Sequence, residues 1–226
     1  MALYDRNYQA NAYERSAVNV NQFVKQTYQL FAASMLVGSA GAYVGLGMAS
    51  TIASMYWVLV IAELALLFGL HAVINKPGIN LMVLFAFTFM SGLTLAPLLV
   101  SVLSLPSGGS IVANAFLLTS VAFGGLSLFA MNTNRDFTAM GKMLTIGIII
   151  LIVASLINMF TQSSIFQLAI ASIGAILMSF FILYDTQNII KGNYTSPIQG
   201  AVALYLDFLN LFVMLLQILG IFGRDD

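Results

Sequence analysis

Met143-Leu144-Thr145-Ile146-Gly147-Ile148-Ile149-Ile150-Leu151-Ile152-Val153-Ala154-Ser155-Leu156-Ile157-Asn158-Met159-Phe160 carries no charge over eighteen residues. A helix crosses the hydrocarbon of a bilayer with about 20 mostly apolar residues, and this run reads as a span over 140–160. Two polar runs bound it, Asn132-Thr133-Asn134-Arg135-Asp136 before and Thr161-Gln162-Ser163-Ser164 after. Outward from it the same pattern recurs, giving further spans at 28–49, 55–74, 79–103, 110–131, 165–190 and 199–221. Asn75-Lys76-Pro77-Gly78, Leu105-Pro106-Ser107-Gly108-Gly109 and Lys191-Gly192-Asn193-Tyr194-Thr195-Ser196-Pro197 separate them. The break near Ser50 and Thr51 is the weakest. The fold expected is an all-α integral membrane protein of seven transmembrane helices. It forms one membrane domain over 28–222, with a polar N-terminal tail at 1–27 and a short tail at 223–226.

Composition supports this reading. Of 226 residues 60% are apolar and 7% are charged, where about 25% charged is usual for a soluble domain. Eight basic residues balance eight acidic ones, which excludes a nucleic-acid binder needing a basic excess. Disorder is excluded by the hydrophobicity. The chain has no cysteine, so disulfides and thiolate metal sites are out. The tail, with Asp5, Arg6, Glu14, Arg15 and Lys25, is not a cleavable signal, which would have a short apolar core.

Seven of the eight basic residues (Arg6, Arg15, Lys25, Lys76, Arg135, Lys142 and Lys191) fall on one side of the membrane, and only Arg224 on the other. The positive-inside rule then places the N-terminus in the cytoplasm. Compact loops and the absence of a targeting segment point to a bacterial inner membrane. Gly41 and Gly45 form a GxxxG step that suits close helix packing. Pro97, deep in the third span, is expected to kink it and free a carbonyl.

Three acids lie within the spans, Glu63, Asp185 and Asp207. Insertion scales charge roughly 2.5–3.5 kcal/mol for an ionised acid at mid-helix, on the order of 10 kcal/mol for three. Each must therefore be protonated, paired or in contact with water. No lysine or arginine lies at comparable depth, and the nearest, Lys76, sits at the end of the second span. Asp185 and Asp207 stand eleven residues on either side of Ser196, so an antiparallel hairpin brings them to one level, roughly 10 Å inside the boundary. Two carboxyls there would share a proton, because both cannot ionise cheaply, and such a pair responds to pH without histidine. The plain alternative is a protonated aspartic acid on each helix, bonded to a neighbouring helix. His71, the only histidine, reads as a boundary residue, and Trp57 and the tyrosines as interfacial anchors and packing.

Enzymatic signatures are missing. No Walker loop, Gly-x-Ser-x-Gly elbow or dinucleotide fingerprint occurs, and one histidine without cysteine leaves no usual zinc, haem or thiol site. Tyr184-Asp185-Thr186 and Leu206-Asp207-Phe208 do not resemble the glycine-following aspartates of intramembrane proteases. The chain is expected to be no enzyme and to need no resident cofactor.

Leu183-Tyr184-Asp185-Thr186-Gln187, followed by Ala203-Leu204-Tyr205-Leu206-Asp207-Phe208-Leu209-Asn210-Leu211-Phe212, resembles the C-terminal signature of the Bax inhibitor-1 family, the transmembrane Bax inhibitor motif proteins. Phe85-Ala86-Phe87-Thr88-Phe89-Met90-Ser91-Gly92-Leu93-Thr94-Leu95-Ala96-Pro97 resembles its third helix. The resemblance implies a bundle with the hydrophobic seventh helix surrounded by the other six. It also implies a pH-sensitive calcium leak, with Asp185 and Asp207 as the sensor pair and transient calcium ligands. Glu63 matches an acid of the family's second helix and becomes a candidate for the ion path or for support of the sensor. Where members with the fully described sensor have an arginine, eleven residues after that glutamate, this chain has Ile74, and Lys76 is the nearest substitute. The short tail at 223–226 lacks the basic cluster of the animal cell-death regulators, so control of apoptosis is not carried over.

Two functions follow. The first is a passive calcium leak across the bilayer, since carboxylate oxygens are the hard ligands calcium prefers. The second is a regulatory partner of a membrane-anchored, ATP-dependent protease, a role linked to some bacterial relatives, with the polar tail as the part handled. A proton-coupled transporter is a third possibility, lacking an inverted repeat or broken helices in support.

Overall fold

In lipid an open strand edge or loop has no water to satisfy its backbone, so a spanning chain closes its hydrogen bonds within helices. The computed structural model shows that solution throughout, describing the backbone of residues 2–223 and the side chains of residues 20–223. Eight α-helices follow in order: α1 (Ala2–Leu46), α2 (Ala49–Ser54), α3 (Tyr56–Val73), α4 (Ile79–Leu103), α5 (Gly108–Asn132), α6 (Gly141–Thr161), α7 (Ser164–Ile190) and α8 (Pro197–Phe222). All but α2 are long and apolar enough to cross a membrane, α1 over Val20–Leu46. The tail charges Asp5, Arg6, Glu14 and Arg15 lie outside the described side chains, and Arg224, Asp225 and Asp226 outside the described residues.

Six of the seven spans fall within two or three residues of the sequence reading. The first differs at both ends. Helix α1 is continuous from Ala2 through the expected start at 28, and it ends at Leu46, three residues before the expected end, where Gly47 and Met48 turn the chain into α2. The weak break near Ser50 and Thr51 is thus a short helix, and the chain turns on either side of it.

The outer faces carry what only lipid would tolerate. Ile146, Ile149, Ile150, Ile152, Val153 and Phe160 of α6 are exposed, as are Ile61 and Phe68 of α3. Buried residues concentrate on α8, which packs against α7, α1, α5 and α4 at the centre of the bundle. Outside that inner set, α3 leans on α4 and α6 on α7. Around α8 the Phe31 and Phe123 rings stack 5.0 Å apart, and Phe208 meets Phe123 edge-on at 5.6 Å.

Association in lipid relies on close packing rather than on expelling water, and the α1–α4 seam is its clearest case. A Cβ on Gly41 would collide with the Phe89 carbonyl oxygen, one on Gly92 with the Gly38 carbonyl oxygen, and one on Gly45 would sit 2.6 Å from the Ala96 Cβ. The GxxxG step is a packing device within the chain. Helix α4 runs unbroken across Pro97, which cannot donate to Leu93. The Leu93 carbonyl oxygen lies 3.2 Å from where a Gly45 Cβ would stand, so it faces the thin part of α1.

Candidate functional site

The α7–α8 hairpin positions the two aspartates. Helix α7 stops because Gly192 takes a left-handed φ of 68°. Gly192 N then donates to Ile189 O at 3.2 Å and Asn193 N to Asn188 O at 2.9 Å, the paired bonds that close a helix C-terminus at glycine. Ser196 caps α8, its Oγ accepting from Ile198 N at 3.3 Å, with Pro197 in the first turn. The link is asymmetric about Ser196. Asp185 stands five residues before the end of α7 and Asp207 ten after the start of α8, so α8 projects more than a turn beyond α7.

Both aspartates are buried, and their carboxyls lie within hydrogen-bonding reach of each other. The loop residue Tyr194 folds over them, its hydroxyl donating to Asp185 Oδ1 at 2.5 Å. Burial and the nearby Asp185 carboxyl raise the Tyr194 phenol well above its usual range, so it stays protonated and remains a donor at neutral pH. Asp207 Oδ2 is buried without a hydrogen-bond partner among the described residues. A proton held between the two acids would supply the donor that this oxygen lacks. No ion pair reaches either acid among the described residues.

Lys76 is exposed and far along the chain from the pair. The donor that Asp185 does have is the neutral Tyr194 hydroxyl. No periodicity marks a phenol in a turn; its only signal was the short loop between the two aspartates. Glu63 is not brought to the pair. It sits seven residues into α3 from the end opposite the basic loops and accepts from Thr94 Oγ1 at 2.8 Å. His71 is exposed, with Nδ1 3.0 Å from Leu67 O in its own helix. Among the described residues no three acids or histidines cluster as a cage for a metal.

The end of α7 also grips the loop between α5 and α6. Buried Gln187 accepts from Phe137 N at 2.7 Å and donates to Arg135 O at 2.7 Å. At the surface Lys191 Nζ donates to Asp136 Oδ1 at 2.7 Å. That bond, together with those from Thr138, holds the Asp136 carboxyl down at about 2.

A model of the family described as "Inhibitor of apoptosis-promoting Bax1" matches residues 20–224. The chain belongs to the Bax inhibitor-1 family. An uncharacterised Campylobacter jejuni protein is 57% identical over 99% of each chain. The Escherichia coli inner membrane protein YbhL is 37% identical over 72% of this chain and 73% of its own. The Escherichia coli protein named modulator of FtsH protease YccA is 32% identical over 93% of this chain and 94% of its own. Within this Bax inhibitor-1 chain the aspartates, Tyr194 and the Gln187 grip form one polar cluster at the basic end of the bundle.

Proposed function

We propose that this protein is a passive calcium leak of the bacterial inner membrane, with its basic loops and N-terminus in the cytoplasm, gated by the proton shared between Asp185 and Asp207. The observation that carries the reading is the juxtaposition of two buried carboxyls with no cation beside them among the described residues. While one proton is shared, α7 and α8 are bonded across their interface. Once both acids ionise, they repel in a low-dielectric setting and also present two hard oxygen ligands to calcium. The same pair therefore sets both the closure and the transient ion site, without enzymatic chemistry or a resident cofactor. Reconstitution in liposomes loaded with a calcium dye tests it. Asp185→Asn and Asp207→Asn should each flatten the dependence of the leak on pH between 6 and 8. Variants that track the wild type across that interval would refute the sensor.

A second reading, modulation of a membrane-bound protease, is favoured by the name of the relative YccA. Its test is removal of residues 1–19. A cut at 27 would also take Thr27, which is fully buried, and Phe23 and Val24, which pack on the core. A leak should survive the shorter deletion and tail-dependent protease modulation should not.

A further inference from the structure

We propose that Glu63 anchors a second cation site, separate from the aspartate pair and entered from the membrane face opposite the basic loops. The site takes a hydrated divalent cation. This deepens the leak reading and rests on it for the direction of entry.

Helix α3 leans on α4, and between it and α8 lies a cavity of about 580 Å³. Its polar lining is Glu63, Thr94, Ser91, Asn210 and Gln217, with the Tyr56 ring at the rim. A neighbouring cavity of about 370 Å³ is lined by Asn158, Gln162, Gln167 and again Gln217. The two meet at Gln217 and Leu98. The second lies where α6 passes into α7, at the end of the bundle away from Lys76, Arg135, Lys142 and Lys191. The first is mostly apolar between its polar groups and the second is mixed, and Glu63 is the single charge-bearing group in the two linings.

The lining is held in place. Asn158 Nδ2 donates to Gln167 Oε1 at 2.6 Å, and Gln167 Nε2 donates to Gln217 Oε1 at 2.6 Å. Thr94 fixes one oxygen of Glu63, leaving the carboxylate half-buried with no cationic partner among the described residues. Beside Thr94 the remaining polar groups are engaged with one another: Ser91 Oγ and Tyr205 Oη are 2.5 Å apart, and Tyr205 Oη donates to Thr88 O at 3.1 Å. One carboxylate with amide oxygens and water is an oxygen-only set suited to a hard divalent ion. A single formal charge makes the binding weak, as a path requires if the ion is to leave again.

The test uses terbium(III) as the probe, in the full chain purified in detergent. Its emission is sensitised by a nearby tyrosine, and Tyr56 borders the cavity. An Asp185→Asn/Asp207→Asn background removes the contribution of the pair beside Tyr194. In that background, sensitised emission displaced by calcium is expected. Adding Glu63→Gln should weaken terbium binding at least tenfold, and Tyr56→Phe should dim the emission without moving the titration midpoint. Gln217→Glu, which adds a carboxylate where the cavities meet, should tighten binding several-fold. Emission indifferent to Glu63→Gln, or absent from the background, overturns the site. Calcium flux in liposomes separates the two readings: flux without Glu63-dependent terbium binding sinks this site alone, and binding without flux sinks the leak alone.

Discussion

Replacing Gly92 with alanine adds one methyl group where α4 meets α1. Its Cβ would land on the Gly38 carbonyl oxygen and 2.8 Å from the Ala42 nitrogen. Both obstacles are backbone, so neither can swing aside as a side chain would. Relief requires α1 to back away along a stretch where Gly41 and Gly45 allow equally close approach. Overpacking typically costs about 1–3 kcal/mol, and a rigid obstacle puts this site at the upper end. The better helix propensity of alanine returns about 1 kcal/mol, leaving a net loss of about 2 kcal/mol. Gly125, in the middle of α5, has nothing within 4 Å of the same methyl, so only the propensity gain remains, about 0.5–1 kcal/mol. One substitution should lower the unfolding midpoint in mild detergent and the other should raise it. Size-exclusion profiles after graded heating read both. If Gly92→Ala matches the wild type, or the two midpoints move in the same direction, close backbone contact is not what joins α1 to α4.

Three further outcomes follow from the basic end of the bundle. The Asp136 carboxyl, held down to about 2 chiefly by Lys191, stabilises the fold above its unfolded value of about 3.9 and loses that effect only as pH falls toward 2. Asp136→Asn should therefore leave the pH profile of the leak unmoved between 6 and 8; a displaced midpoint would show that this surface pair takes part in the titration. Gln187→Leu removes the bonds to Phe137 N and Arg135 O, a loss of about 2–3 kcal/mol; the α5–α6 loop should become cleavable by protease, and continued resistance would contradict the grip. Removal through Thr27 should lower the unfolding midpoint relative to removal of residues 1–19 alone, because it also takes buried Thr27 and core-packed Phe23 and Val24. Equal midpoints would mean that the first turns of α1 beyond Val20 contribute nothing to the bundle.

The spans were legible because their ends are written in residues that a bilayer refuses. The exception shows the limit of that reading. Asn21, Gln22, Lys25, Gln26 and Thr27 count as a polar tail, yet Thr27 is fully buried and Phe23 and Val24 pack on the core while Lys25 and Gln26 face outward. A mixed helical turn near the interface averages to hydrophilic whichever face is inside. The placement of the aspartates was legible because a hairpin converts symmetric spacing into proximity. Their partner was not, since a tyrosine in a six-residue link has no period to reveal its direction. Nor was Thr94 legible as the partner of Glu63, 31 residues away on another helix; that pairing follows from how α3 leans on α4. Gly41 and Gly45 announce a packing face, but Gly38 and Gly92 meet only because α1 and α4 share that seam. Gly124 and Gly125 look just as suited to packing and face open space.

Helix α8 links the two acid levels through the arrangement of its polar residues. Beyond its first turn, and apart from Tyr205, these are Asp207, Asn210 and Gln217. At about 100° per residue, Asn210 is turned about 60° from Asp207 and Gln217 about 80° in the same sense, while Tyr205 points some 160° away. Three polar side chains therefore share one narrow sector of an otherwise apolar helix for about 15 Å. Scattered around the helix, each would need its own bonding partner inside the bilayer. Gathered in one strip, they share partners: Asp185 at one end, the Glu63 cavity in the middle and the Gln167 amide at the other. Met214 interrupts the strip and packs against Gly174 of α7, its Sδ 2.8 Å from where a Cβ would stand. Helix α8 is thus pressed to α7 by an apolar contact on the same sector that carries Asp207. In the proposed gate, ionising Asp185 and Asp207 would act on that sector directly, because their repulsion would be directed across the interface where Met214 packs.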